Sequence, residues 1–382
     1  MTDLERSVGT GEVVRGGGPE STVQVRRSSD PVLRVESLTK HYPVRDNTVR
    51  SLATRRRVVH AVDDVSFDLH PGTAVALVGE SGSGKSTVGR VLAHLEPPTS
   101  GRVLFKGEAL NLRWRSAVRS YRGQVQLIFQ DPYASLNPVH TVAYHLERPL
   151  RIHKLAGSKE QLRSRQLALL EQVHLTPAAQ VIDKLPHELS GGQRQRVAIA
   201  RTLAVQPSVL IADEPVSMLD VSVRLSVLNL LAELVEKNDL ALLYITHDIA
   251  SARYFAERIL VMYAGQVLEA GSAEAITQSP AHPYAQLLVS AAPDPDVTAR
   301  KGRQAMRAPG EAPSLIEPPS GCRFHPRCPH AMPICAEERP PRFDLDGEHW
   351  AACWLFSESA SPQEVSISER PAASSRGRNP EK

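Results

Sequence analysis

The chain has 382 residues, with 45 basic and 42 acidic side chains for a net charge of +3, and 41% of it is hydrophobic. That length predicts roughly two to three domains with a substantial core, and the even charge balance argues against nucleic acid as an obligatory partner. No apolar run approaches the roughly 18 residues that a membrane span needs, so any membrane process served by this chain must take its spans from other chains.

Residues 1–30 are rich in Gly, Ser, Arg and Glu. They hold too few apolar groups to offset the entropy of ordering, and disorder is expected. They also lack the apolar core of a signal peptide, which predicts a chain kept in the cytosol. Strand-like runs follow in VLRVESLTKHY, VVHAVDDVSFDLH and TAVALVG, and the alternation in AVDDVSFDL fits a half-buried strand. The basic TRRRVV stretch at 54–59 reads as a solvated loop between strands rather than a lipid-facing patch. From Glu96 to about Leu185 the chain turns Arg-rich and helical, with a 3.6-residue period in KEQLRSRQLALLEQVHL. The stretch RWRSAVRSYR at 113–122 is expected to cover a helical subdomain rather than bind nucleic acid. From Pro186 to about Gly271 apolar strands return in SVLIAD and LALLYIT, as expected of strands buried on both faces of a mainly parallel sheet. Beyond Ser279 the sequence is Pro-rich, irregular and cysteine-bearing, and from about Ser357 it becomes a polar tail expected to be disordered.

Three motifs carry chemistry. Gly79 to Ser86 matches G-x-x-x-x-G-K-[ST], between a strand-like and a helix-like run. Gly79, Gly82 and Gly84, with Ser81 and Ser83 between them, let backbone N–H groups close on phosphate. The following helix, with Thr87 in its first turn, adds the positive end of its dipole. Lys85 is suited to the terminal phosphates and the Ser86 hydroxyl to Mg²⁺. The apolar run SVLIADEP ends in Asp213, suited to the Mg²⁺ shell, and Glu214, suited to polarise an attacking water. In ELSGGQRQRVAIARTLA, Ser190, Gly191, Gly192 and Gln193 offer a second anion-binding helix N-terminus. Two phosphate-gripping surfaces with one metal-binding acid imply a head-to-tail dimer, in which the glycine loop of one chain faces the Ser190–Gln193 segment of another.

On these motifs, and on their order, the sequence resembles the ATP-binding subunits of ATP-binding cassette (ABC) transporters from about Val32 to Gly271. The resemblance implies an α/β P-loop ATPase at 31–278, with an antiparallel β subdomain and a helical subdomain at about 131–188. It implies ATP and Mg²⁺ as ligands. It gives Tyr42 the role of stacking on adenine, Gln130 that of touching Mg²⁺ or water and sensing the membrane partner, and His247 that of contacting the γ-phosphate. SMLD at 217–220 resembles the segment that crosses the dimer, with Met218 where the family usually has Ala. IFQDPYASLNP, DEPVSMLDVSV and SPAHPYAQLL are similar to the oligopeptide/dipeptide importer branch, whose C-terminal extension begins near His282-Pro283-Tyr284 and here would run 279–356. DEPVS resembles the second of the paired ATPases in such systems. The implied partners are a second ATPase subunit in a hetero- or homodimer, two transmembrane permeases and, through them, an extracytoplasmic solute-binding protein, with no nucleic acid. The implied place is the cytoplasmic face of the cell membrane. A same-branch importer of nickel, glutathione or an oligosaccharide stays open on sequence. A soluble repair or translation ATPase is disfavoured by the single cassette and by a gap of about 100 residues between the ATP motifs, too short for a coiled-coil insertion.

The four cysteines fall at Cys322-x5-Cys328-x6-Cys335-x17-Cys353. Structural disulfides are rare in the cytosol, and four thiolates in one short segment suit a soft metal. Spacing alone leaves the metal open, with His325, His330 and His349 as spare ligands for zinc, and free thiols a third reading. Resemblance to relatives with this extension favours a [4Fe–4S] cluster.

Overall fold

A computed structural model describes residues 30–44, 57–131, 135–291 and 310–357. Apart from Asp30 and Ser357, the tails expected to be disordered lie outside the described residues, as do residues 54–56 of the basic loop. The strands among the described residues are β1 (Leu33–Pro43), β2 (Val58–Leu69), β3 (Ala74–Val78), β4 (Ser100–Phe105), β5 (Glu108–Ala109), β6 (Val125–Ile128), β7 (Val209–Asp213), β8 (Ala241–Thr246), β9 (Arg258–Tyr263), β10 (Gln266–Ser272), β11 (Phe343–Asp346) and β12 (His349–Ala351). The helices are α1 (Lys85–Leu92), α2 (Arg115–Gln124), α3 (Val142–Ile152), α4 (Lys159–Gln172), α5 (Ala178–Val181), α6 (Gly191–Leu203), α7 (Val221–Asn238), α8 (Ile249–Phe255), α9 (Ala273–Gln278), α10 (Pro283–Ala291) and α11 (Pro333–Glu337).

The alternating runs at the start of the chain form an antiparallel sheet in the order β2-β1-β4-β5. The apolar runs form a second sheet in the order β11-β12-β10-β9-β3-β8-β7-β6, in which β9, β3, β8, β7 and β6 are parallel. The central strands β3, β7 and β8 are buried along their whole length, because both faces are covered. Their two-residue period sorts side chains between two cores. Ala76, Val78, Leu210, Ala212, Leu242 and Tyr244 face the helices α3 to α8. Val75, Leu77, Val209, Ile211, Leu243 and Ile245 face α1 and the antiparallel sheet.

The stretch from Glu96 to about Leu185 expected to be helical is helical only in part: β4, β5 and β6 lie within it, and the helices α3 to α5 follow β6. Ser158 caps α4 by accepting from the Gln161 N–H at 3.2 Å, and Leu162, Leu169 and Leu170 bury its inner stripe. The Arg-rich 113–122 stretch departs from expectation. It forms α2 before β6, and its Tyr121 lies in the core beside α1 and donates to the Leu92 carbonyl at 2.6 Å. Tyr121 is buried, whereas the arginines of α2 are not, so the helix roofs the sheet instead of the helical subdomain.

The C-terminal extension departs too. Its irregular sequence hides two short strands, β11 and β12, and β12 pairs antiparallel with β10. Without it, the outer edge of β10 would present unpaired backbone groups. A buried carboxylate fixes the junction: Glu269 on β10 accepts from the Ala281 and His282 N–H groups at 2.8 and 2.7 Å, and from His349 Nε2 on β12 at 2.8 Å.

His282 is enclosed completely. Its Nδ1 accepts from the Tyr284 N–H at 3.0 Å, and its Nε2 is buried without a hydrogen-bond partner among the described residues. Burial pushes its pKa down to about 3 from 6.5. The unfolded chain therefore takes up a proton that the folded one refuses. The stabilisation is complete above pH 6.5 and is lost as pH falls from there toward 3, at up to about 1.4 kcal/mol per pH unit. The expected result is a flatter pH dependence of the denaturation midpoint in His282→Gln than in the wild type across pH 4–6. Identical slopes would contradict it.

Candidate active site

Parallel pairing brings residues far apart in sequence to one edge. Val78 pairs with Thr246, Asp213 with Ile245, and Ile128 with Ala212. The carboxyl ends of β3, β6, β7 and β8 therefore open on the same side, where ligands of parallel α/β sheets bind. The Gly79–Ser86 loop follows β3, Gln130 follows β6, Asp213 and Glu214 end β7, and His247 follows β8.

The loop is held by backbone contact on two sides. The Gly265 N–H, at the turn between β9 and β10, donates to the Ser83 carbonyl at 2.8 Å. A Cβ on Gly79 would stand 2.0 Å from the Met262 carbonyl oxygen, and one on Gly84 2.0 Å from the Ala61 carbonyl oxygen. These two glycines therefore answer to neighbouring strands as well as to a ligand, whereas Gly82 needs only its positive φ of 77°. Gly84, at φ 105°, begins α1 with no side-chain cap and no acid in the first turn, leaving its N–H groups and positive dipole end open to an anion.

Lys85 is buried, and its Nζ donates to the Gly79 and Glu80 carbonyls, each at 2.8 Å. Burial lowers its pKa, while Glu214, Asp213 and Glu80 act in the opposite direction. The Ser86 hydroxyl donates to Asp213 Oδ1 at 3.0 Å. Burial raises the Asp213 pKa against the Ser86 hydrogen bond. A hydroxyl beside a carboxylate is a hard oxygen pair that fits Mg²⁺, and the ion's charge would meet the buried acid.

Glu214 is clasped from both sides. Gln130 Nε2 donates to its Oε2 at 2.8 Å, and His247 Nδ1 donates to its Oε1 at 3.0 Å. That arrangement leaves Nε2 of the half-exposed His247 ring for another partner. Glu214 itself sits at φ 45°, a left-handed conformation that costs about 1–3 kcal/mol in a non-glycine residue and gathers at functional sites.

Tyr42, at the end of β1, lies near Thr87: its hydroxyl bonds Glu96 and interacts with Thr87, and the Lys40 ammonium stands 4.8 Å from its ring centre. Gly191 and Gly192 lie elsewhere, on α6. There Ser190 and Gln193 bond each other reciprocally, at 3.0 and 3.2 Å, as a capping box. A Cβ on Gly192 would stand 2.4 Å from Val223 Cγ1 of α7.

Sequence reading missed a set of residues that tie the extension to the loop. The Glu80 N–H donates to the Tyr284 hydroxyl at 2.8 Å, and Arg327 grips the Glu80 carboxylate with two nitrogens at 2.9 and 3.2 Å. Arg323 reaches the Ala264 carbonyl and Asp63. The signals were two arginines among the cysteines and an acid inside the glycine loop, and only contact joins them.

The cysteines themselves are free thiols, with Cys322, Cys335 and Cys353 buried and Cys328 half-buried. Burial pushes Cys322 up to about 11 and Cys353 up to about 12, and raises Cys328 as well. Among the described residues, the one group of three or more potential ligand atoms that all lie within 4.8 Å of one another is His41, His60 and Asp63. There the Arg323 guanidinium already occupies the carboxylate. Burial alone would raise the Asp63 pKa, but the bonds from His41 and Arg323 hold it below its ordinary value.

Comparison with known proteins gives two family matches: ABC transporter over residues 62–217, and oligopeptide/dipeptide transporter, C-terminal region, over 268–335. The chain is 42% identical to a probable peptide ABC transporter ATP-binding protein of Sinorhizobium fredii, over 87% of this chain and 92% of that protein. It is 41% identical to the oligopeptide transport ATP-binding protein AppF of Bacillus subtilis, over 86% of this chain and 99% of that one. Among solved structures, the ATP-binding cassette MJ0796, as a post-hydrolysis dimer with ADP and phosphate, superposes with a TM-score of 0.55 at 31% identity, over 63% of this chain and 98% of its own. These matches are described by ATP binding and transport, and they lend no support to an iron–sulfur group. The [4Fe–4S] expectation for Cys322, Cys328, Cys335 and Cys353 is therefore corrected: among the described residues, no three of these sulfurs lie within 4.8 Å of one another.

Proposed function

The chain belongs to the ATP-binding subunits of ABC transporters, in the oligopeptide/dipeptide branch, and from that premise we propose that it hydrolyses ATP to drive peptide uptake through separate permeases. The observation that carries the reading is the Gln130–Glu214–His247 clasp beside Lys85, Ser86 and Asp213.

The triphosphate enters where Lys85 now holds the Gly79 and Glu80 carbonyls. Lys85 turns to the terminal phosphates, and the open N–H groups of α1 with those of Ser81, Gly82 and Ser83 bind the rest. Ser86 and Asp213 would hold Mg²⁺, which when bound would supply charge neutralisation for the phosphates. Tyr42 stacks on adenine near Thr87. Glu214 takes a proton from the water as its oxygen bonds the γ-phosphorus, and the bond to the bridging oxygen breaks toward ADP. Gln130 and His247 hold that carboxylate, and His247 Nε2 faces the γ-phosphate.

The pocket is completed by a second ATPase subunit, whose Ser190–Gln193 counterpart caps the phosphates. Met218 and Val221 support this contact, since they lie 57% and 81% exposed in the segment that follows Glu214, where apolar side chains suit an interface. No helix among the described residues is long and apolar enough to cross a membrane. In this reading the chain works as a peripheral subunit on the cytoplasmic face, with two permeases and, through them, a solute-binding protein. We take 31–278 as the ATPase unit, about 131–188 as its helical subdomain and 279–356 as the extension.

The test is purification of the full chain from membranes with its co-purifying subunits, followed by measurement of peptide-dependent ATP hydrolysis in vesicles. Permeases in the complex and hydrolysis raised by peptide are expected. A chain recovered without membrane subunits, with hydrolysis indifferent to peptide, would end the transport reading.

A further inference from the structure

Glu80 is an oddity in a loop built to hold a polyanion. Its carbonyl accepts from Lys85 and its N–H is taken by Tyr284. Its carboxylate is close enough to Lys85 to act on that amine's titration. A carboxylate so placed would repel a triphosphate at short range in a sheltered site. One residue of the distant cysteine segment answers it: both terminal nitrogens of Arg327 reach Glu80, and the pair is sheltered, with side chains 11% and 30% exposed. Two planar donors on one carboxylate make the directed form of an ion pair. Arg327 also donates to the Tyr263 hydroxyl at 3.2 Å. Beneath it, the rings of Tyr263, Tyr284 and Phe324 pack together with centres 4.6 to 5.4 Å apart. The guanidinium is thus set by packing rather than free to wander.

We propose that Arg327 and Tyr284 are positioning residues for the nucleotide loop. Arg327 cancels the Glu80 charge and Tyr284 fixes the Glu80 backbone, so the C-terminal extension sets how tightly the loop holds nucleotide. This rests on the reading of 79–87 as the triphosphate site and adds a partner to it. The extension thereby acts on affinity without touching ATP, through a contact between residues 247 positions apart.

The experiment is a double-mutant cycle on the full chain, read as MgATP affinity by displacement of a fluorescent nucleotide, with thermal melts alongside. Arg327→Gln leaves the Glu80 carboxylate uncompensated and is expected to weaken MgATP binding about tenfold. Glu80→Gln alone is expected to bind at least as tightly as the wild type. The double variant Glu80→Gln with Arg327→Gln is expected to return to within about twofold of the wild type, a rescue that a purely structural role for Arg327 would not give. Wild-type affinity in Arg327→Gln, or a double variant no tighter than Arg327→Gln, overturns the proposal. If Arg327→Gln fails to fold, the double variant decides by itself: restored affinity supports charge compensation and weakened affinity overturns it. A wild-type chain that binds no MgATP would instead remove the underlying nucleotide reading, and this proposal with it.

Discussion

Glu214→Gln is expected to slow ATP hydrolysis about 10²- to 10⁴-fold and to leave nucleotide affinity within a few-fold of the wild type. The geometry separates the two effects. Glu214 touches Gln130 and His247 and forms no bond to Lys85 or Ser86, so the lysine and the hydroxyl meant for phosphate and Mg²⁺ do not depend on it. The amide matches the carboxylate in shape and still accepts from Gln130, while a change of tautomer lets His247 receive its N–H. What the amide loses is the capacity to take a proton. If closure of the proposed subunit pair depends on binding and reopening on hydrolysis, the pair should then persist with ATP enclosed. Phosphate release and gel filtration with ATP read the two halves. Turnover at the wild-type rate would strip Glu214 of its assigned role.

Lys85→Ala acts at the opposite step. It removes the cation meant for the terminal phosphates, worth about 3 kcal/mol in charge-assisted hydrogen bonds, or roughly 100-fold in Kd. It also removes the donor that bonds the Gly79 and Glu80 carbonyls, so the loop loses part of its shape. Burial already holds the Lys85 pKa below its ordinary value. The bound phosphates would favour the charged form that burial disfavours. Nucleotide titration checks this directly, and unchanged affinity would sink the phosphate reading of the loop.

The two variants divide the site into binding and chemistry, and the Arg327–Glu80 cycle adds a control on binding from outside it. Together they give the extension a physical meaning. It closes the edge of the sheet through β12 and touches the nucleotide loop through Tyr284 and Arg327. An ATPase built this way carries its tail as part of its nucleotide apparatus.

Local chemistry alone determined much of this. Glycines, a lysine and a hydroxyl in fixed spacing between strand-like and helix-like runs state a phosphate loop. Alternating and unbroken apolar runs state which strands are half-buried and which are covered on both faces. Each of those signals lies within about ten neighbouring residues, where backbone geometry leaves few options. Tertiary structure decided the rest. The clasp on Glu214 needs three parallel strands in register, and the extension's strands exist because β10 offered an edge. Arg327 finds its acid 247 positions away. The cysteines make the same point in reverse: clustering along the chain suggested thiolates around a metal, and in the fold no three of their sulfurs come within 4.8 Å of one another. Charge and protonation depend on what surrounds a side chain, and those surroundings are assembled only when distant segments pack.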